Sequence, residues 1–156
     1  MKIKWKTLLI CIAIPLLVGG ISGFITMGAM DNFKALDKPP LSPPGWLFPV
    51  VWTVLFTLMG IASYLVLTSS ASSKNITNAL KFYAVQLLFN FLWSILFFNL
   101  ELYTFAFIWL LVLWVLIIIT TVKFYRISKP AGYLLIPYLL WVTFAAYLNL
   151  GIAILN

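Results

Sequence analysis

Charged residues are absent from five long stretches of this chain. The uncharged stretches cover residues 7–30, 39–73, 82–100, 102–122 and 130–156. About 20 apolar residues in a helix cross the hydrocarbon core of a bilayer, and in lipid a helix satisfies its own backbone hydrogen bonds. Because 64% of the residues are hydrophobic and only 8% are charged, the chain lacks the polar surface of a soluble domain. The sequence therefore predicts an all-α integral membrane bundle of five transmembrane helices.

We expect a single domain over residues 1–156. The first stretch follows three lysines and contains small residues near its end, which is also the pattern of a cleavable signal peptide, but we expect it to be retained as the first helix. A loop over about 29–44 is predicted to follow it. The predicted helices cover about 7–28, 45–68, 79–99, 103–125 and 131–154.

The charged residues also predict an orientation. On the N-terminal side of the five crossings lie Lys2, Lys4, Lys6, Lys74, Lys81, Lys123, Arg126 and Lys129. On the other side lie Lys34 and Lys38, together with all three acids, Asp31, Asp37 and Glu101. The positive-inside rule then places the N-terminus in the cytoplasm of a bacterial-type plasma membrane, with the C-terminus and the 29–44 loop outside. The net charge of +7 thus reflects topology, and scattered basic residues do not indicate a nucleic-acid partner.

Several kinds of chemistry lack the residues that they need. The chain has no histidine, which is the usual general base near neutral pH and the commonest metal ligand. Its single cysteine, Cys11, lies among apolar residues within the first helix, where a packing role is expected. No ionisable residue of the kind that marks proton relays falls inside a predicted span. We therefore predict no metal and no cofactor, and hydrolysis or ion-coupled pumping is disfavoured.

Aromatic residues are abundant, at 17% of the chain, and several recur at helical spacing inside the spans. Such a stripe is typical of helix packing, but it can also line a pocket. Gln86 and Asn90 lie one turn apart, and buried amides of this kind either hydrogen-bond between helices or face a ligand. Ala145, one turn from Trp141, leaves space beside a large ring. Apolar walls with a few polar groups are typical of a small-molecule site between helices.

Prolines are concentrated before the second helix. Five of the eight prolines lie within residues 38–52. Because proline fixes its own backbone angle and disfavours helix in the preceding residue, KPPLSPPG, residues 38–45, is predicted to be rigid and non-helical. Pro49 is expected in or near the first turn of the second helix, where its missing N–H has little consequence. The non-helical segment is either a lid over the outer end of the bundle or simply a tight exit from the membrane. The candidate lid residues are Pro39, Pro40, Pro43 and Pro44.

Three of the predicted helices carry runs that resemble one family. The second, third and fifth helices contain KPPLSPPGWLFPVVWTVLFTLMGIASY, QLLFNFLWSILFF and PYLLWVTFAAYLN, in that order. Together these runs resemble the TspO/MBR family of tryptophan-rich sensory proteins, whose animal members are the mitochondrial translocator proteins, or peripheral benzodiazepine receptors. The resemblance implies a five-helix bundle with a cavity that the loop after the first helix closes. It also implies binding of porphyrins, especially protoporphyrin IX, and of benzodiazepine-type and isoquinoline carboxamide drugs.

The resemblance further implies roles for particular residues. Trp52 and Trp141 would be the cavity tryptophans that support light-dependent porphyrin breakdown, without metal or acid–base groups. The alternatives are a protein that binds or senses porphyrin without converting it, or a transporter of lipid or haem precursors. The candidate ligand-binding residues are Phe48, Trp52, Phe56, Asn90, Trp93, Trp141, Ala145 and Leu148.

Two further expectations come from the resemblance. A homodimer embedded in membrane lipid is expected by analogy with the family. Animal members bind cholesterol, but the sterol motif expected after the last helix needs a basic residue beyond Tyr147, and none follows here. Val122, Tyr125 and Lys129 fit the same loose pattern by spacing alone. Sterol recognition is therefore not expected.

Overall fold

All regular structure in the described part of the chain, residues 2–156, is helical. The computed structural model contains five helical stretches that are long and apolar enough to cross a membrane. The prediction of an all-α, multi-pass membrane protein is thereby confirmed. The helices are α1 (Trp5–Thr26), α2 (Met30–Lys34), α3 (Leu47–Leu67), α4 (Ser73–Ser94), α5 (Tyr103–Ile127) and α6 (Lys129–Leu155), with a 3₁₀ turn at Met27–Ala29 and a π-helical turn at Ile95–Asn99.

Two boundaries differ from the sequence-based expectation for clear local reasons. Helix α4 begins at Ser73 because the Ser72 side chain accepts a hydrogen bond from the Asn75 amide at 3.3 Å, which satisfies a free N–H of the first turn. The first span continues through the 3₁₀ turn into α2, so that residues 5–34 form one helical run. The first part of the expected 29–44 loop is therefore helical.

Hydrogen bonds between distant residues show how the spans alternate. The Lys4 amide donates to the Tyr64 hydroxyl at 2.9 Å, which brings the start of α1 to the end of α3. At the opposite end, the Asn156 side chain donates to the Asp37 carbonyl at 2.8 Å. The loop over residues 29–44, called the lid segment below, thus lies beside the end of α6. We call this end of the bundle the lid end and the other the N-terminal end.

The five spans form a closed ring in the order α1, α3, α6, α5, α4. The most extensive contacts are those of α5 with α6 and of α1 with α3, and α4 completes the ring by packing on α5 and α1. Side chains at the centre are almost fully buried, including Met59, Tyr138 and Gln86. This order places α3 next to α6, so that residues of the second and fifth spans meet directly.

The contact between α1 and α3 depends on a glycine and a proline. Pro15 has no N–H for the carbonyl of Cys11, four residues earlier in α1. Gly60 of α3 packs against this carbonyl and against the backbone of Ile12, so close that a Cβ atom at position 60 would overlap both. The opposing atoms belong to the backbone and cannot rotate away. The two helices therefore approach each other this closely only with glycine at position 60.

Replacing Gly60 by alanine is expected to destabilise the bundle. Overpacking of this kind costs about 1–3 kcal/mol, although alanine is the better helix former by roughly 0.5–1 kcal/mol. We expect a lower unfolding temperature in detergent micelles for Gly60→Ala. Gly20→Ala is the matched control, because no atom lies within 4 Å of its added Cβ. A Gly60→Ala protein as stable as the Gly20→Ala protein would contradict the packing argument.

Candidate ligand-binding site

Four aromatic rings from α3 and α6 interlock near the lid end. On α3, Phe48 and Trp52 lie one turn apart, and on α6 Tyr138 and Trp141 lie about one turn apart. Phe48 contacts Trp141 with ring centroids 5.9 Å apart, and Trp52 contacts Tyr138 at 6.3 Å, both edge to face. Trp52 also stacks on Phe56 at 5.4 Å. Phe48, Trp52, Tyr138 and Trp141 are called the four-ring cluster below.

The α4 side of the site is held by amide hydrogen bonds. The Trp93 indole N–H donates to Asn149 Oδ1 of α6 at 3.1 Å, and Asn149 Nδ2 donates to the Tyr103 carbonyl at 2.8 Å. Trp93 also stacks on Phe97 at 5.3 Å. These bonds fix the orientation of the indole ring and join α4, α5 and α6 at one level of the bundle.

The two amides on α4 share one partner. Asn90 Nδ2 donates to the Tyr138 hydroxyl at 2.8 Å, and that hydroxyl donates to Gln86 Oε1 at 2.6 Å. All three side chains are buried. Of the two possibilities that the sequence left open, the structure shows interhelical hydrogen bonds. Tyr138 was not among the predicted site residues, although its position one turn before Trp141 was visible in the sequence.

The lid segment places one phenylalanine over the site. The Phe33 ring of α2 contacts Phe48 at 6.4 Å and Phe98 at 5.2 Å between centroids. The Lys38 ammonium lies 4.8 Å from the centroid of the same ring and donates to the carbonyl of Lys34, at the end of α2. Phe33 is the only aromatic residue in the lid segment, and this was the one signal that could have identified it.

Phe33 contacts the π-helical turn that follows α4, and the sequence did not predict this turn. Residues 95–99 form a π-helical turn, in which the Leu100 amide donates to the Ile95 carbonyl, five residues earlier, at 3.0 Å. The wider turn brings both Phe97 and Phe98 within contact of Phe33. Such turns recur at functional sites in helices.

The proline run is anchored to the end of α6. Pro39 is buried and packs on Gly151, where an added Cβ would overlap the proline ring. The Tyr147 hydroxyl donates to the Pro40 carbonyl at 2.7 Å. The Asp37 amide donates to Asn156 Oδ1 at 3.1 Å. Among the candidate lid prolines, Pro43 is half-buried and Pro40 and Pro44 are exposed, so Pro39 makes the main contact.

The predicted site residues lie in one region but differ in exposure. Phe48, Trp52, Trp141 and Ala145 are half-buried. Phe56, Asn90, Trp93 and Leu148 are buried. Two cavities, of about 290 and 470 Å³, lie elsewhere, against α1 and α3 and against α5 and α6. Neither is lined by any of the eight predicted residues. The rings of the four-ring cluster contact one another in two pairs, and Phe48 also contacts Phe33.

The fold and the site define a multi-pass helical membrane protein with an aromatic site beneath a tethered loop. The profile of the TspO/MBR family matches residues 11–155, and the chain belongs to this family. It is 41% identical over 151 residues to the tryptophan-rich protein TspO of Chlorobaculum tepidum, with 96% of each chain covered. The tryptophan-rich sensory protein of Cereibacter sphaeroides is 39% identical over 135 residues, covering 84% of this chain and 83% of that protein.

An animal relative is also similar over most of the length. The translocator protein of Ovis aries is 38% identical over 118 residues, which cover 75% of this chain and 70% of that protein. The resemblance found in the three sequence runs is thereby confirmed.

Removing the Tyr138 hydroxyl is expected to weaken the bundle. In Tyr138→Phe the Asn90 and Gln86 amides lose their shared partner inside a buried region. We expect a loss of about 1–2 kcal/mol in the free energy of unfolding, measured by titration from mild detergent into a denaturing one. Tyr133→Phe is the control, since that side chain is 60% exposed. Equal stability of the two variants would show that the hydrogen bonds of the Tyr138 hydroxyl make no net contribution to the free energy of unfolding.

Replacing Gly151 by alanine is expected to detach the lid segment. The added methyl group would move the Pro39 ring away from α6 and weaken the hydrogen bond between the Asp37 amide and Asn156. Loss of about one hydrogen bond, ~1 kcal/mol, should make the Asp37 amide exchange with deuterium about fivefold faster. Gly28→Ala, at the same end with no atom within 4 Å, is the control. Unchanged exchange in Gly151→Ala would show that Pro39 does not hold the lid segment.

Proposed function

We propose that this protein binds a flat tetrapyrrole, protoporphyrin IX or a related porphyrin, against the four-ring cluster. The observation that carries the proposal is the pairing of Phe48 with Trp141 and of Trp52 with Tyr138 across adjacent helices. Aromatic rings that are half-buried keep apolar surface available to a planar ligand while staying fixed by their neighbours. Membership of a family whose relatives are named sensory and translocator proteins is consistent with a binding role.

In the proposed binding step, the porphyrin replaces Phe33 as the neighbour of the aromatic rings and covers more of their surface. Phe33 makes only edge contacts with other rings, those of Phe48, Phe97 and Phe98. It belongs to a segment that is attached to α6 by few hydrogen bonds. Displacing Phe33 would expose the four-ring cluster to the ligand. The Lys38 ammonium, which has only carbonyl and ring partners here, would then be available to a porphyrin carboxylate. Charge-assisted contacts of this kind favour an anionic ligand.

Smaller planar ligands fit the same proposal. Isoquinoline carboxamides and benzodiazepine-type molecules present fused rings and a carbonyl group. Their rings would contact Trp52 and Trp141, with Ala145 leaving room beside Trp141. Asn90 is already bonded to Tyr138, so that a carbonyl group of the ligand would have to share this amide. We expect such molecules to compete with porphyrin.

We further propose that Trp52 and Trp141 support light-dependent oxidation of the bound porphyrin. An indole is readily oxidised and can give one electron to a photoexcited porphyrin, which leaves an indole radical cation and a porphyrin radical anion. Dioxygen takes this electron from the porphyrin radical anion and becomes superoxide. The indole radical cation then recovers an electron from the porphyrin ring, and superoxide combines with the porphyrin radical cation, so that dioxygen is consumed and the indole is restored. No acid, base or metal of the protein takes part, in keeping with a chain that has no histidine.

Trp52→Phe and Trp141→Phe separate binding from photochemistry. Phenylalanine keeps an apolar ring at each position, so we expect the dissociation constant for protoporphyrin IX to rise only about two- to tenfold. Phenylalanine is much harder to oxidise, so the light-dependent loss of the porphyrin absorbance band should fall toward the rate without protein. Trp5→Phe is the control, because Trp5 is 63% exposed and outside the site.

Spectra recorded in the dark and under illumination distinguish the outcomes. Bleaching at the wild-type rate in both variants would refute the assigned roles. A spectral shift on binding, with no new product under light, would favour a protein that senses or sequesters porphyrin. Porphyrin movement across proteoliposomes that contain the protein would favour transport.

A further inference from the structure

A groove between α5 and α6 lies at the N-terminal end, opposite to the lid segment. Its volume is about 470 Å³, within the range of sites that hold small molecules. Since it is separated from the four-ring cluster, it does not depend on the proposed function. The groove is lined by Thr121, Val122, Tyr125 and Arg126 of α5 and by Tyr133 and Ile136 of α6.

Close packing of the two helices shapes this groove. Gly132 of α6 lies directly against the Cα and Cβ atoms of Tyr125, and a Cβ atom at position 132 would overlap them. The Tyr125 and Tyr133 rings meet edge to face, with centroids 5.6 Å apart. Both rings are well exposed, at 40% and 60%. The tyrosine pair is therefore fixed by helix packing and still accessible from outside.

The lining changes in character along the groove. Arg126 lies in the last turn of α5, and Lys129 begins α6 just beyond the connecting residue, so that the outer rim is basic. The tyrosine pair follows, at the depth where aromatic rings favour the membrane interface. Val122 and Ile136 lie about one turn deeper and are aliphatic. This order of basic, phenolic and aliphatic groups matches the head group, interface and chain of a lipid.

The N-terminal end of the bundle carries basic side chains and no acidic side chain. All three acidic side chains of the sequence belong to the lid end. The Lys123 ammonium lies 4.9 Å from the centre of the Phe82 ring, and therefore points to α4. Arg126 is exposed at the rim of the groove, and a guanidinium group can bind a phosphate through two parallel hydrogen bonds. The groove therefore combines an apolar channel with an unneutralised phosphate-binding group.

We propose that this groove binds an anionic phospholipid, with its phosphate on Arg126 and one acyl chain along Val122 and Ile136. A sterol is the competing occupant, since Val122, Tyr125 and Lys129 fit the loose sterol pattern. The neutral hydroxyl group of a sterol would leave the basic rim without a counter-charge. An anionic phospholipid accounts for both parts of the groove, because its phosphate matches the basic rim and its acyl chain matches the aliphatic side chains.

Native mass spectrometry of the full chain tests the proposal. The protein is released from nanodiscs that contain equal amounts of dioleoylphosphatidylglycerol and dioleoylphosphatidylcholine, and the lipids that stay bound are counted. We expect the anionic lipid to be retained in preference to the neutral one. Arg126→Gln should lower its retention about fivefold, which corresponds to ~1 kcal/mol for the loss of one direct hydrogen bond to the phosphate. Lys74→Gln removes the same charge from the same end, outside the groove, and should change nothing.

A second variant tests the apolar part of the groove without changing the charge. Ile136→Trp places a larger ring in a position that is 41% exposed, and should block the acyl chain and lower the retention of phosphatidylglycerol. Its unfolding temperature in lipid-free detergent should equal that of the wild type. Equal losses in Lys74→Gln and Arg126→Gln would overturn the proposal, because they would indicate only general attraction to anionic lipid. Equal retention of both lipids would also overturn it, as would displacement of phosphatidylglycerol when cholesterol is added to the same nanodiscs.

Discussion

One hydroxyl group joins the helices that carry the site. The Tyr138 hydroxyl accepts from Asn90 and donates to Gln86, and the ring that bears it contacts Trp52 of the neighbouring helix. Helices in lipid are not driven together by the hydrophobic effect, so that packing and interhelical hydrogen bonds decide their arrangement. The two hydrogen bonds hold α6 against α4, and the contact of the Tyr138 ring with Trp52 holds α6 against α3. Tyr138 therefore links three of the helices at the level of the four-ring cluster.

The lid segment closes the bundle by combining stiffness with few attachments. Proline limits the conformations of the free loop, so that docking costs less entropy than it would for a flexible segment. Leu41, between the two proline pairs, has φ of 70°, which an ordinary side chain rarely adopts. The anchors on α6 hold this strained turn in place, with Pro39 on Gly151 and Tyr147 on the Pro40 carbonyl. The lid segment is therefore held on α6 by a small number of contacts at its proline-rich part.

Residue patterns in the sequence predicted candidate site residues, but they did not predict the contacts that those residues make. Trp52, Trp93 and Trp141 were predicted as site residues because they lie in three runs that together resemble one family. Phe33 and Tyr138 were not among the predicted site residues, because their position in the sequence does not show which helix their rings contact. The attachments between residues 37 and 156 link positions 119 apart in the chain, and no local pattern encodes them. The π-helical turn was equally hidden, because its residues resemble those of the regular helix before it.

The sequence by itself determined the number of spans, their helical nature and the separation of basic from acidic ends. These properties follow from the cost of placing charge and unpaired backbone groups in hydrocarbon, which depends only on local composition. The tertiary structure decided the ring order of the helices, the closeness of α1 to α3 at Gly60, and the partners of each buried amide. These depend on which surfaces fit together after the spans have formed. Lipid-embedded helices of similar composition differ in shape far more than in hydrophobicity, and shape is specified only by contacts between them.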